Sequence, residues 1–208
     1  LNDRRGLAAT LGNLGIVREY QGRLDDAVRL YDESADLNRA LGNSMGLAAA
    51  LANLGKLTWR RREFRRASQL IHESLALSRK IGDMAGEAFC YDTLGLLYLD
   101  QGDHTSAVRY FFENMARWRE LGNAQGVATD LEGLADVAVE QGNAVRAARL
   151  WAACESLYDP TAKPHPADEE RHARRVKSAQ KLLNPAEWDA ACGEGKAMTL
   201  EDAIAYAQ

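Results

Sequence analysis

The residues of this sequence that could do chemistry are few, and their spacing works against it. The four histidines, His72, His104, His165 and His172, form no His-x-x-x-His or His-Glu-x-x-His pattern, the spacings that would set imidazoles on one helix face around a metal. Cys90, Cys154 and Cys192 are odd in number and lack a Cys-x-x-Cys spacing, so neither a disulfide framework nor a zinc site is indicated. Cys90 and Cys154 fall on helical patterns as small apolar residues. Gly12-Asn-Leu-Gly15 lies within a helical pattern, not between a strand and a helix, and is no phosphate loop. The cations Arg171, Arg174, Arg175, Lys177 and Lys181 follow Asp168, Glu169 and Glu170, the charge order a solvated helix adopts to complement its own dipole. No catalytic residue, metal or cofactor is expected, and the chain reads as a non-enzyme.

Bulk properties narrow the partners. Of 208 residues, 46% are hydrophobic and 27% charged, the composition of a globular protein with an ample core. A net charge of −4 argues against a surface that neutralises phosphates, so no direct nucleic-acid partner is expected. The longest charge-free run, 40–55, is shorter than the roughly 20 apolar residues of a membrane span and is interrupted by Asn43, Ser44 and Asn53, so no membrane partner is expected either. The chain opens on Leu1 rather than Met and shows no basic-then-apolar run there, so a segment of a longer protein is expected. Leu1 stands in the register of Leu41, Ile81 and Leu121, so an earlier repeat is expected before it, and free thiols point to a cytoplasmic location.

The elements that must position any surface repeat. Sliding the chain by 40 places aligns Gly6, Gly46, Gly86 and Gly126, then Leu14, Leu54, Leu94 and Leu134, then Ala27, Ala67, Ala107 and Ala147. Such registered anchors mark an array in which each unit buries its apolar face on the next. Leu7, Leu11, Leu14 and Val17 recur at helical spacing to give a first helix, and Leu24, Ala27, Val28, Tyr31, Ala35, Leu37 and Leu41 a longer second one. Gly22, Gly102 and Gly142 sit at the inner turns and Gly42, Gly82 and Gly122 at the outer ones, where a left-handed residue closes a helix cheaply. Arg62 replaces glycine at the second inner turn, so that turn is expected to be either strained or differently shaped. Gly15, Gly55, Gly95 and Ala135 are expected to face Ala27, Ala67, Ala107 and Ala147 for close helix approach.

Asn13-Leu14-Gly15, Asn53-Leu54-Gly55 and Thr93-Leu94-Gly95-Leu96-Leu97-Tyr98, each followed by a turn and an alanine, resemble the tetratricopeptide repeat, with Tyr31, Ile71, Phe111 and Trp151 in the place of its second-helix Phe. The chain departs in its 40-residue period, in lacking the terminal Pro, and in supplying the Tyr only at Tyr98. The expected fold is all-α, a right-handed α-α superhelix of four helix pairs over 1–158 (6–45, 46–85, 86–125 and 126–158), closed by capping helices in 159–208. Three prolines mark a loop at 159–166; a helix follows over 167–183, then one opened by Asn184-Pro185 that carries Trp188, then a last one at 200–207 behind Thr199-Leu-Glu-Asp202. Trp151 and Trp188 are expected as anchors where array meets cap. The tail, from Ala147-Ala-Arg-Leu-Trp151 to Gly195-Lys-Ala-Met-Thr-Leu-Glu-Asp-Ala-Ile-Ala-Tyr-Ala207, is similar to the repeat-region end of large bacterial signalling ATPases and LuxR-type transcriptional regulators.

The tetratricopeptide resemblance implies a concave groove lined by the first helix of each pair. It would comprise Asn13, Ile16, Glu19 and Tyr20; Asn53, Lys56, Trp59 and Arg60; Phe89, Asp92, Leu96 and Asp100; and Glu132, Asp136, Val139 and Glu140. Such a mixed aromatic and charged surface suits a protein or peptide carrying basic and apolar residues, or another domain of the same polypeptide. Asp100 and Asp136 are expected to be exposed. Gly12 and Ala52 stand where chaperone-binding relatives place a carboxylate-clamping lysine, so a free acidic tail is not the expected ligand. The reading is a non-enzymatic interaction or scaffold module; the alternative is a small-ligand or signalling-peptide receptor that changes curvature on binding.

Overall fold

The computed structural model describes residues 3–157 and 166–208, and among them there are helices and turns but no strand. The helices are α1 (Arg4–Tyr20), α2 (Leu24–Ala40), α3 (Ser44–Arg60), α4 (Phe64–Ile81), α5 (Met84–Asp100), α6 (His104–Glu120), α7 (Ala124–Glu140) and α8 (Ala144–Cys154). A 3-10 turn, Glu155–Leu157, precedes α9 (Pro166–Gln180), α10 (Pro185–Lys196) and α11 (Leu200–Ala207). The expected helix pairs and three tail helices are all present, and the fold is an all-α helical repeat. The proline-rich stretch lies outside the described residues up to Pro166, which opens α9, a place where its missing N–H costs nothing. Two compact units divide the chain after Gln101: α1 to α5 form one and α6 to α11 the other.

The repeated glycine at the start of each pair sits under an N-cap. Asp3, Asn43, Asp83 and Asn123 are N-caps whose side chains accept the backbone N–H of Gly6, Gly46, Gly86 and Gly126. A Cβ on Gly6 or Gly86 would lie 2.4 or 2.3 Å from the capping carboxylate, which would have to turn as it does where Asp103 caps Ser106 and Asn143 caps Arg146; a Cβ on Gly46 or Gly126 would strike Asn38 or Trp118 of the preceding helix. In the tail, Asn184 with Glu187 and Thr199 with Asp202 form complete capping boxes.

In the first unit, Ala27 and Tyr31 of α2 pack on Leu54 and Leu57 of α3, and Ala35 on Leu47, Ala50 and Leu51. Buried hydroxyls tie the pairs together: Ser34 donates to the Ala8 carbonyl at 2.9 Å and Ser74 to that of Ala48 at 2.8 Å. Cys154 holds the same register in the second unit, its thiol 3.4 Å from the Ala128 carbonyl, so this cysteine is a hydroxyl substitute as well as an apolar filler. The small residues of the first helices serve a bulkier neighbour than expected. A Cβ on Gly15 would come within 2.6 Å of the Tyr31 ring and one on Gly55 within 2.5 Å of Ile71, so these glycines make room for the large residue one turn beyond Ala27 and Ala67. On α1 the row Leu7, Leu14 and Val17 is 53%, 37% and 48% exposed, whereas Leu47, Leu54 and Leu57, forty residues on, are buried against α2.

Arg62 takes the left-handed conformation of its sister glycines, φ 62° against 72° at Gly22 and 77° at Gly102. A side chain there costs about 1–2 kcal/mol. The Arg62 guanidinium, 5.9 Å from the Phe64 ring, and the greater freedom of an unfolded glycine offset part of that. Arg62→Gly is therefore expected to stabilise the first unit by up to about 1 kcal/mol in chemical denaturation, with an unchanged m-value.

Candidate functional site

Where the first helices of neighbouring pairs run side by side, their small residues leave hollows. One of about 270 Å³ between α1 and α3 has Ala8, Ala9, Gly12, Gly46, Ala49 and Ala50 among its lining, with Asn13, Ile16 and Asn53 beside them and Arg5 at one end. Its polar wall is preset: Asn38 donates to the Ser34 carbonyl at 2.9 Å and accepts from the Asn43 amide at 2.7 Å. A second hollow of about 170 Å³ shares Ala49 and Asn53 and is lined further by Ala48, Ala52, Ser74, Asp83 and Phe89. Asn13 is exposed and Asn53 half-buried. Each primary amide can both give and take a hydrogen bond, the requirement for reading a peptide backbone.

The other expected groove residues of this unit fall into two groups. Tyr20 is 58% exposed, and Lys56, Arg60, Phe89, Asp92 and Asp100 are half-buried. Trp59 and Leu96 are 3% and 6% exposed and offer almost no surface. The Trp59 indole N–H donates to Asp100 at 3.1 Å, a contact across 41 residues that draws both side chains inward. Lys56 sits 5.6 Å over the Phe89 ring. Arg60 is ion-paired with Glu19, which also accepts the Tyr31 hydroxyl at 3.1 Å, and burial beside that carboxylate raises the Tyr31 phenol above its ordinary pKa. The charges expected to face a partner are thus largely spent on neighbouring repeats.

In the second unit the correction is larger. Asp136, expected to be exposed, is 2% exposed and ion-paired with Arg171 of α9; Glu140, one turn on, pairs with Arg175. Burial raises the Asp136 carboxyl above the usual range, against the pull of the Arg171 and Arg175 guanidiniums. Glu132 is half-buried. His172 packs edge-on to Trp151, ring centroids 5.5 Å apart, and Trp151 lies 6.5 Å from Trp188, so the two tryptophans do meet where the tail joins the repeats. Sequence reasoning did not single out Asn38 or Asn43, and it read as a solvated face the α9 arginines that pair with Asp136 and Glu140. The first two left a signal, since Asn38 and Ser78 place a polar residue among apolar positions 40 residues apart and Asn43 shares its register with Asp3, Asp83 and Asn123.

None of this is reaction chemistry. Burial pushes the Cys90 thiol up to about 11 and raises that of Cys154 as well, so neither is a thiolate at neutral pH. Among the described residues no group of three or more His, Cys, Asp or Glu side chains could hold a metal ion, and no helix is long and apolar enough to cross a membrane.

Residues 6–80 and 90–121 each match a family model described as tetratricopeptide repeat. No curated protein matches the chain in sequence. Among solved structures, the crystal structure of BtubC (BKLC) from P. vanneervenii superposes with a TM-score of 0.70 over 98% of this chain and 84% of that one, at 17% identity. A likeness at that identity establishes the shared helical-repeat fold.

Proposed function

We propose that the tetratricopeptide repeats carried by this chain take up a segment of a partner protein along the hollows of the first unit. Tetratricopeptide repeats are protein-interaction modules, in general without catalysis. The observation that supports this site is the pair Asn13 and Asn53, one repeat apart, beside hollows floored by alanine and glycine. A floor of small side chains admits an extended backbone closely, and amides at repeat spacing can hold it in register. Phe89 and Ile16 would take apolar partner side chains, and Tyr20, Lys56, Arg60, Asp92 and Asp100 would shape specificity at the rim. We place the module in a larger signalling ATPase or transcriptional regulator of bacterial, cytoplasmic origin, on the tail resemblance described above.

The test is selection of binders from a random peptide library against the whole chain, followed by Asn13→Ala and Asn53→Ala. Each substitution is expected to weaken the selected peptides roughly three- to tenfold, the worth of one or two hydrogen bonds, with the melting temperature unchanged. Selected peptides indifferent to both substitutions would place the site elsewhere. A melting temperature that responds instead to small metabolites would favour a small-ligand receptor.

A further inference from the structure

We infer that the acidic face of α7 is a second interaction surface, built for a helix that presents two arginines one turn apart, and that α9 is its exchangeable occupant within the chain. Asp136 and Glu140 stand four residues apart on α7, and Arg171 and Arg175 stand four residues apart on α9, so two ion pairs form in one register. Asp136 and Glu140 also hold the repeat positions of Lys56 and Arg60, and of Leu96 and Asp100, on the helix row that faces partners under the reading above.

How α9 is held separates it from the other tail helices. Its single fully buried residue is Ala179, with Ala167, His172 and Val176 half-buried, and among its contacts are the two ion pairs and the edge contact of His172 with Trp151. In contrast, α10 brings Gly195 against the α8 backbone at Arg149, and α11 buries Ala203, Ile204 and Ala207. A helix held by charge with little apolar burial belongs to the low-stability end of a fold and opens locally without the rest. A competing helix with the same arginine pair gains the same ion pairs, and α9, its polar side chains already suited to water, loses little on leaving. This surface lies in the second unit and does not depend on the hollows of the first.

The test starts with hydrogen exchange on the unaltered chain. Raising salt from about 0.05 to 0.5 M is expected to speed exchange of residues 166–180 roughly threefold, with α10 and α11 unmoved, since the shorter screening length weakens the Arg175–Glu140 pair, whose carboxylate is exposed, while the buried Arg171–Asp136 pair is screened less. In the R171Q/R175Q variant the same residues are expected to exchange fast already at low salt, while α7, α8 and α10 stay protected. A synthetic peptide of residues 166–180, stapled between the exposed positions 170 and 174, is then expected to bind that variant in a salt-dependent way, and the same peptide with Gln for both arginines to fail. Three results would overturn the inference: exchange of α9 that tracks α10 at both salt concentrations, loss of protection in α7 and α8 together with α9, or equal behaviour of the two peptides. Asn13 and Asn53 play no part in these readings, so the fate of the first-unit site is decided separately.

Discussion

Gly195→Ala is expected to destabilise the second unit by about 2–3 kcal/mol, at the upper end of overpacking costs. The added Cβ would lie 2.2 Å from the carbonyl oxygen of Arg149 and 2.9 Å from its carbonyl carbon and Cα. These are backbone atoms of a buried helix and have no rotamer through which to yield, so α10 must withdraw from α8. Withdrawal would uncover Ala191 and pull the neighbouring Trp188 away from Trp151. Gly193 supplies the control on the same helix, because a Cβ there meets nothing within 4 Å. Gly193→Ala is expected to stabilise by about 0.5–1 kcal/mol through the higher helix propensity of alanine. Opposite signs two residues apart, in urea denaturation of the whole chain, would locate the effect in the helix contact. Matching small gains at both positions would mean that α10 is not seated on α8.

Phe111→Ala carries the largest expected cost, about 3–5 kcal/mol, because the ring is fully buried and its removal leaves a cavity that helices cannot collapse to fill. Its environment is shaped for it: a Cβ on Gly133 of α7 would lie 2.4 Å from the ring. Gly133→Ala alone should therefore cost about 1–3 kcal/mol by overpacking. In the Phe111→Ala background the same change should be close to neutral, because the atoms it would strike are gone. The coupling in the double-mutant cycle is expected to be about 1–3 kcal/mol, and a value near zero would show that Phe111 and Gly133 are not partners.

The candidate sites were legible unevenly. Asn13, Asn53 and Phe89 were readable from the 40-residue register and do border the hollows. Asn38 and Asn43 were not singled out, although the register carried them, because a polar residue on α2 and a cap residue before α3 show their shared purpose only when the acceptors, the Ser34 carbonyl and the Asn38 amide oxygen, are in place. Trp59, Leu96 and Asp136 were assigned to a surface that the structure largely removes. Register gives the direction in which a position faces, whereas exposure depends on what arrives to cover it.

The sequence by itself determined the helices, their order and their ends. The caps at Asp3, Asn43, Asp83 and Asn123, the left-handed turns at six glycines, and the two capping boxes of the tail are settled by backbone geometry within one helical turn, so local residue types suffice. The left-handed Arg62, in contrast, goes against its residue type and is decided by the structure around it. Tertiary structure decided which bulky side chain each glycine admits, and that Trp59 would spend its indole N–H on Asp100. It alone decided that Arg171 would meet Asp136 across 35 residues. These are pairings between segments whose separation along the chain encodes no distance in space. An ion pair or a close helix contact becomes favourable only after packing has excluded the water that would otherwise satisfy each partner alone.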